Sequence, residues 1–190
     1  MALICHPHPV YGGTLHNKVV FRAAKAALAA GFPALRFNFR GAGQSAGVFD
    51  AGVGEQEDAR AALDFLTARL PGLPVCLIGF SFGAWVGLTV GATDPRVSAL
   101  VGLGVPVDSY DFDFLTEVTK PKLIVQGTRD EFGAKGHIER FYDSLAEPKQ
   151  LHWVEGVDHF FTGKLDEVQE ALSNSLSATV RNILTPRRQP

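Results

Sequence analysis

Disulfide bonding has little to work with in this sequence. Its 190 residues hold two cysteines, Cys5 and Cys76, each in or beside a short apolar stretch. Two buried, reduced thiols are the expectation, and nothing in the sequence supports a disulfide between them. No run of about 18 apolar residues exists, so no membrane span is expected. The opening MALICHPHP has neither the basic start nor the long apolar stretch of a signal peptide. Together these absences make the cytoplasm the expected compartment. Excess charge of one sign is missing as well. Lys and Arg total 18 against 20 for Asp and Glu, a net charge of −2, which draws neither nucleic acid nor an anionic membrane. Internal repeats, low-complexity tracts and linkers are absent. One domain over 1–184 is expected, with 185–190 as a disordered tail. What the chain does have is apolar mass, 46% hydrophobic against 20% charged, enough for a packed core.

That apolar mass is arranged in alternation. Short apolar runs at 2–5, 32–39, 75–78, 97–103, 122–126 and 151–154 read as strands. Between them 17–30, 54–70 and 135–145 read as helices. Leu165, Val168, Leu172, Leu176, Val180 and Ile183 mark a closing helix. Continuous apolar strands separated by helices imply an α/β fold: a mostly parallel, doubly wound sheet of about six strands in a three-layer sandwich. Ligands of such sheets bind beyond the carboxyl ends of the strands. There the chain delivers His6–Gly13, Arg40–Ser45, Ser81, Val105–Asp108, Gln126–Asp130 and Gly156–Phe161.

The stretch VCLIGFSFGAWVGLTVG, 75–91, carries the most information. Gly79-Phe-Ser-Phe-Gly83 follows a strand and opens a helix, the setting of a sharp turn that lifts one serine out of the sheet edge. A tight glycine turn with an incidental serine is the plainer reading. The strand before and the helix after favour Ser81 as a nucleophile at a helix N-terminus.

A serine nucleophile needs a base, and the base needs an orienting acid. His159 follows the last strand on the predicted rim. His152 lies within a strand, and His137 begins a helix beyond a loop. Asp130 follows the strand ending at Gln126 and is the leading acid, with a turn aspartate as its plainer reading. Asp108 is the second candidate, and Asp158 reads as solvated. The order is then Ser81, Asp130, His159, the serine–acid–histidine order expected on this fold.

An oxyanion hole needs two N–H donors. Phe82, next after the serine, supplies one. Pro7 and Pro9 have no N–H, so His8 between them is the candidate for the other. Cys5, His6 and His8 also invite a metal reading. Extended residues alternate sides and no fourth ligand is evident, so no metal or other cofactor is expected. His6 then reads as a polar residue bracing the loop. Arg40 and Glu55 are expected to form a bridge holding the loop between them. Asn17 and Lys18 read as helix-start residues.

Four segments carry a resemblance: Cys5-His-Pro-His-Pro-Val-Tyr-Gly-Gly13, Arg36-Phe-Asn-Phe-Arg-Gly-Ala-Gly-Gln-Ser45, Gly79-Phe-Ser-Phe-Gly-Ala84 and Asp158-His-Phe-Phe-Thr-Gly-Lys-Leu165. In order and spacing the chain resembles the α/β-hydrolase superfamily. More narrowly it resembles its small cap-less bacterial predicted serine hydrolases, with dienelactone hydrolase-like enzymes as neighbours. The resemblance implies Ser81 as nucleophile, Asp130 as acid and His159 as base. It does not specify a substrate beyond small acyl esters, thioesters or lactones. The other function class kept open is a non-catalytic binding or scaffold protein on the same fold.

Only about 15 residues separate Pro106 from the next strand, too few for a lid domain. Tyr11, Phe82, Phe112, Phe132, Phe160 and Phe161 are candidates to line an acyl pocket. The superfamily usually has two more strands before the one that opens this chain. Without them 32–39 becomes an edge strand exposing Leu35, Phe37 and Phe39, a template for a homodimer or for aggregation.

Overall fold

Six strands alternate with helices to build one parallel sheet. They are β1 (Ala2–Cys5), β2 (Ala34–Arg36), β3 (Val75–Phe80), β4 (Val97–Leu103), β5 (Lys122–Gly127) and β6 (Lys149–Val154). The helices are α1 (Lys18–Ala29), α2 (Val53–Arg69), α3 (Phe82–Thr93), α4 (Lys135–Ser144) and α5 (Leu165–Leu184). The coordinates are a computed structural model that describes residues 1–184, with side chains to 177. The tail 185–190, expected to be disordered, lies outside the described residues.

The strand order is β2-β1-β3-β4-β5-β6, and every described pair is parallel. Alternation along the strands sends side chains to two cores. Ala2, Ile4, Cys76, Ile78 and Val101 face α1 and α5, where Val20, Ala27 and Leu172 meet them. Leu3, Cys5, Leu77 and Ile124 face the other layer, with Leu63 of α2, Leu88 of α3 and Ile138 of α4. That gives helix, sheet and helix, the three-layer sandwich the alternation predicts. The chain runs from β1 outward to β2, then returns across β1 to β3 and continues the opposite way. The strand order therefore reverses between β1 and β3, where a ligand crevice forms in such sheets. Between β4 and β5 lies one turn of 3-10 helix, Asp113–Leu115, and no lid domain.

Caps fix the helix starts. The Asn17 side chain accepts from Val19 N–H at 2.9 Å, satisfying a donor of the first turn of α1. Glu55 is fully buried and accepts from Asp50 N–H and Gly52 N–H at 3.0 and 2.7 Å. The expected Arg40–Glu55 bridge is therefore corrected, since both Glu55 oxygens serve backbone donors. Arg40 instead meets Asp58, one turn further along α2, at 2.9–3.2 Å, and Glu57 at 3.1 Å. The loop is held as expected in kind, by a different carboxylate.

The edge strand is shorter than the sequence suggests. β2 keeps three residues, not 32–39. Beyond Arg36 the backbone turns to tertiary partners. The Asn38 side chain accepts from Leu15 N–H at 2.7 Å, and Phe39 N–H donates to His6 Nε2 at 3.0 Å. Phe39 is fully buried, and Leu35 and Phe37 pack against the core. The long exposed apolar edge is thus corrected to a three-residue one, and short edges limit strand pairing.

Candidate active site

Ser81 joins β3 to α3 at φ 57° and ψ −125°, a left-handed φ that is strained for a side-chain-bearing residue. The neighbouring glycines make that turn possible. A Cβ on Gly79 would stand 2.2 Å from Gly83 O, and one on Gly83 would stand 2.3 Å from His6 O. Backbone closes in on both sides, so α3 can start directly above the ends of β1 and β3. The Ser81 N–H is anchored on Leu103 O at 3.0 Å.

His159 and Asp130 come from the loops after β6 and β5. His159 Nε2 stands 2.8 Å from Ser81 Oγ, and its Nδ1 stands 2.8 Å from Asp130 Oδ2. The carboxylate next to Nδ1 fixes the proton there, which leaves Nε2 to accept from the serine hydroxyl. Both Asp130 and His159 are nearly inaccessible to water. The buried carboxylate has two further donors, Gln126 Nε2 at 2.7 Å and Phe132 N–H at 2.8 Å. Such donors compensate the loss of hydration. Gln126 was missed in the sequence as a site residue. Its signal was there, a polar side chain ending the apolar run Leu123-Ile-Val125. Its Oε1 accepts from Val105 N–H at 2.7 Å, so one amide ties the β4 loop to the Asp130 loop. The imidazole is held flat against Phe80, with Phe132 and Phe160 at its other sides.

The other candidates are engaged elsewhere. Asp108 accepts from Ala134 N–H at 2.9 Å and pairs with His137 Nδ1. Asp158 accepts from Phe160 N–H, Thr162 N–H and Thr162 Oγ1, so it caps a turn and is not merely solvated. His152 lies on β6 facing Glu167 at 3.9 Å. His6 donates from Nδ1 to Pro7 O at 2.6 Å and accepts at Nε2 from Phe39. Both its ring nitrogens brace the loop, and Cys5 is a buried thiol pushed up to about 12.

Burial pushes the His6 imidazole down to about 4, against 6.5 for an unburied one. The folded chain therefore holds His6 neutral while the unfolded chain takes up a proton below pH 6.5. Its contribution is complete above that pH and is lost as pH falls towards 4, a change of about 3 kcal/mol. Urea denaturation at pH 7 and pH 4.5 checks this. The loss should shrink in His6→Gln, whose amide oxygen can still accept from Phe39. An equal loss in both proteins would remove His6 as the source.

A cavity of about 520 Å³ opens above Ser81. Tyr11, Phe82, Phe132 and Phe160 line it, as does His8. Phe112 does not. It is 3% exposed and packs with Phe114 and Phe141 in the core, and Tyr110 takes the place expected for it. Phe161 is likewise buried, beneath Phe80. The His8 loop is closed by Tyr11 N–H and Gly13 N–H, which both donate to His8 O. A Cβ on Gly13 would fall 2.0 Å from Pro7 O, so this tight loop requires glycine there. The His8 ring rests against Phe82 with centroids 4.8 Å apart. That places the residue after Ser81 beside the loop that follows β1.

Comparison with known proteins agrees with this fold. The family described as alpha/beta hydrolase domain matches over residues 12–185. An uncharacterized protein of Rickettsia prowazekii is 39% identical over 186 residues, 93% of this chain and 78% of that one. The structure of an alpha-beta serine hydrolase homologue from Coxiella burnetii superposes with a TM-score of 0.87 at 40% identity, covering 92% of this chain and 84% of its own. A Xanthomonas campestris protein, described as a serine hydrolase without lid, superposes at 0.86 with 36% identity, covering 94% and 81%. No helix among the described residues is long and apolar enough to cross a membrane. With its parallel sheet, its serine turn and these relatives, the chain belongs to the alpha/beta hydrolase family, so the broad class of its chemistry is hydrolysis.

Proposed function

We propose that the protein is a serine esterase acting on small acyl esters, thioesters or lactones through an acyl-enzyme. The observation that carries this reading is the hydrogen-bonded chain Ser81, His159, Asp130, with both links at 2.8 Å. The Ser81 hydroxyl attacks the acyl carbonyl as His159 Nε2 takes its proton. Asp130 holds the imidazole tautomer and stabilises the imidazolium that forms. The N–H groups of Phe82 and His8 receive the developing oxyanion, the first at the open start of α3. His159 then returns the proton to the leaving group. Water enters by the same base and releases the acid. The relatives described as serine hydrolases from Coxiella and Xanthomonas support the same chemistry.

A fluorophosphonate probe tests the reading, because it reacts only with an activated serine. The native protein should be labelled at one site and Ser81→Ala not at all. An unlabelled native protein that is correctly folded would turn the assignment to a binding protein on a hydrolase fold.

A further inference from the structure

The cavity has two differently furnished halves, and His159 defines which is which. In the proposed esterase reaction its Nε2 returns a proton to the departing alcohol, so that oxygen must sit within hydrogen-bond reach of Nε2. The rings beside His159 on the cavity side are Phe132 and Phe160, with centroids 4.7 and 5.3 Å from the imidazole. Both are large apolar groups left partly in water, 41% and 51% exposed. The opposite half surrounds Phe82 and His8. There Tyr11 packs on His8 at 4.6 Å, and Tyr110 lies 6.0 Å from Phe82, stacked on Trp85. Burial raises the Tyr110 phenol, and the nearby Tyr11 hydroxyl raises it further. Each tyrosine carries a phenol hydroxyl that can donate and accept hydrogen bonds.

Charge is missing from this wall. None of the described residues lining the cavity is Lys, Arg, Asp or Glu. A substrate carboxylate entering it would give up hydration without meeting a counter-charge. A volume of about 520 Å³ is ample for an acyl group and a ring-sized alcohol together.

We infer that the substrate is an uncharged ester of a bulky apolar alcohol. The alcohol seats between Phe132 and Phe160, and the acyl part carries a neutral polar group facing Tyr11 and Tyr110. This rests on the esterase reading above and narrows it to one substrate class. Without a lid, the half-exposed phenylalanines are the surface that removes the alcohol from water.

Three ratios of kcat/KM test it. The first compares 2-naphthylmethyl butyrate with ethyl butyrate, whose alcohols leave with similar ease. The native protein should prefer the naphthylmethyl ester. The double variant Phe132→Ala, Phe160→Ala should lower that preference roughly tenfold, as loss of apolar contact predicts. Partial exposure of both rings lets the variant keep its fold, which circular dichroism checks. The second compares benzyl butyrate with monobenzyl succinate, and the charged half-ester should be at least about tenfold slower. The third compares benzyl 3-hydroxybutyrate with benzyl butyrate, whose ratio Tyr110→Phe should lower several-fold. An unchanged naphthylmethyl preference in the double variant, a succinate half-ester used as well as butyrate, or an unaltered third ratio overturns the inference while the esterase reading stands. No turnover of any ester overturns both.

Discussion

Ser81→Ala is expected to reduce p-nitrophenyl butyrate hydrolysis by a factor on the order of 10⁶, down to what binding and oxyanion donors alone provide. His159→Ala should fall to nearly the same level, because serine and base act as a unit. The double variant should therefore lose little more than either single one. The reason is the single 2.8 Å link between Nε2 and Oγ. Without the imidazole the hydroxyl stays protonated, and without the hydroxyl the imidazole has nothing to activate. Structural damage is not an alternative explanation for Ser81→Ala, because the only side-chain bond Ser81 makes among the described residues is to His159. Steady-state assays with purified protein decide the matter. Retention of most activity in Ser81→Ala would place the nucleophile elsewhere.

Asp130→Asn should lower turnover by a factor on the order of 10⁴. An amide can turn its NH₂ towards Nδ1, and the ring then carries its proton on Nε2, where it cannot accept from Ser81. The same change weakens the contact with Gln126, which now donates to Asp130 Oδ2 at 2.7 Å. Asp108→Asn should stay within about tenfold of the native rate, since its oxygens serve Ala134 and His137. The comparison is between two loops that follow adjacent strands. If the Asp108 variant proved the more damaged, the orienting acid would belong to the loop after β4.

Sequence alone made the parts of the site that depend on local chemistry legible. Strand, Gly-x-Ser-x-Gly and helix together define the turn at Ser81, because the close approach of backbone on both sides leaves room for nothing larger than glycine. His159 was legible for a similar reason, lying a few residues beyond an apolar run that could only be a strand. What stayed hidden depends on distant contacts. Nothing near Phe39 says that its N–H will bond to His6, so β2 reads as eight residues and is three. Arg40 faces several acids on α2, and the choice of Asp58 over Glu55 follows from Glu55 being spent on Asp50 and Gly52. Between β4 and β5 no periodicity distinguishes a residue that points inward from one that lines a cavity. Phe112, expected at the cavity, is buried for that reason, and Tyr110, two positions earlier and not singled out in the sequence, lines the cavity.

The walls of the cavity hang from four separate loops. Tyr11 follows β1, Tyr110 follows β4, Phe132 follows β5 and Phe160 follows β6. The Ser81 turn is locked between backbone atoms that tolerate no insertion of mass. Selectivity and reactivity are mechanically coupled in this molecule, because Phe132 N–H holds Asp130 and Phe160 stands next to His159 in the same loop. Tyr110 is the exception, since the loop after β4 carries none of Ser81, Asp130 and His159. Tailoring of substrate choice in this scaffold therefore starts at the loop after β4, where a wall can change with the least cost to the reacting atoms.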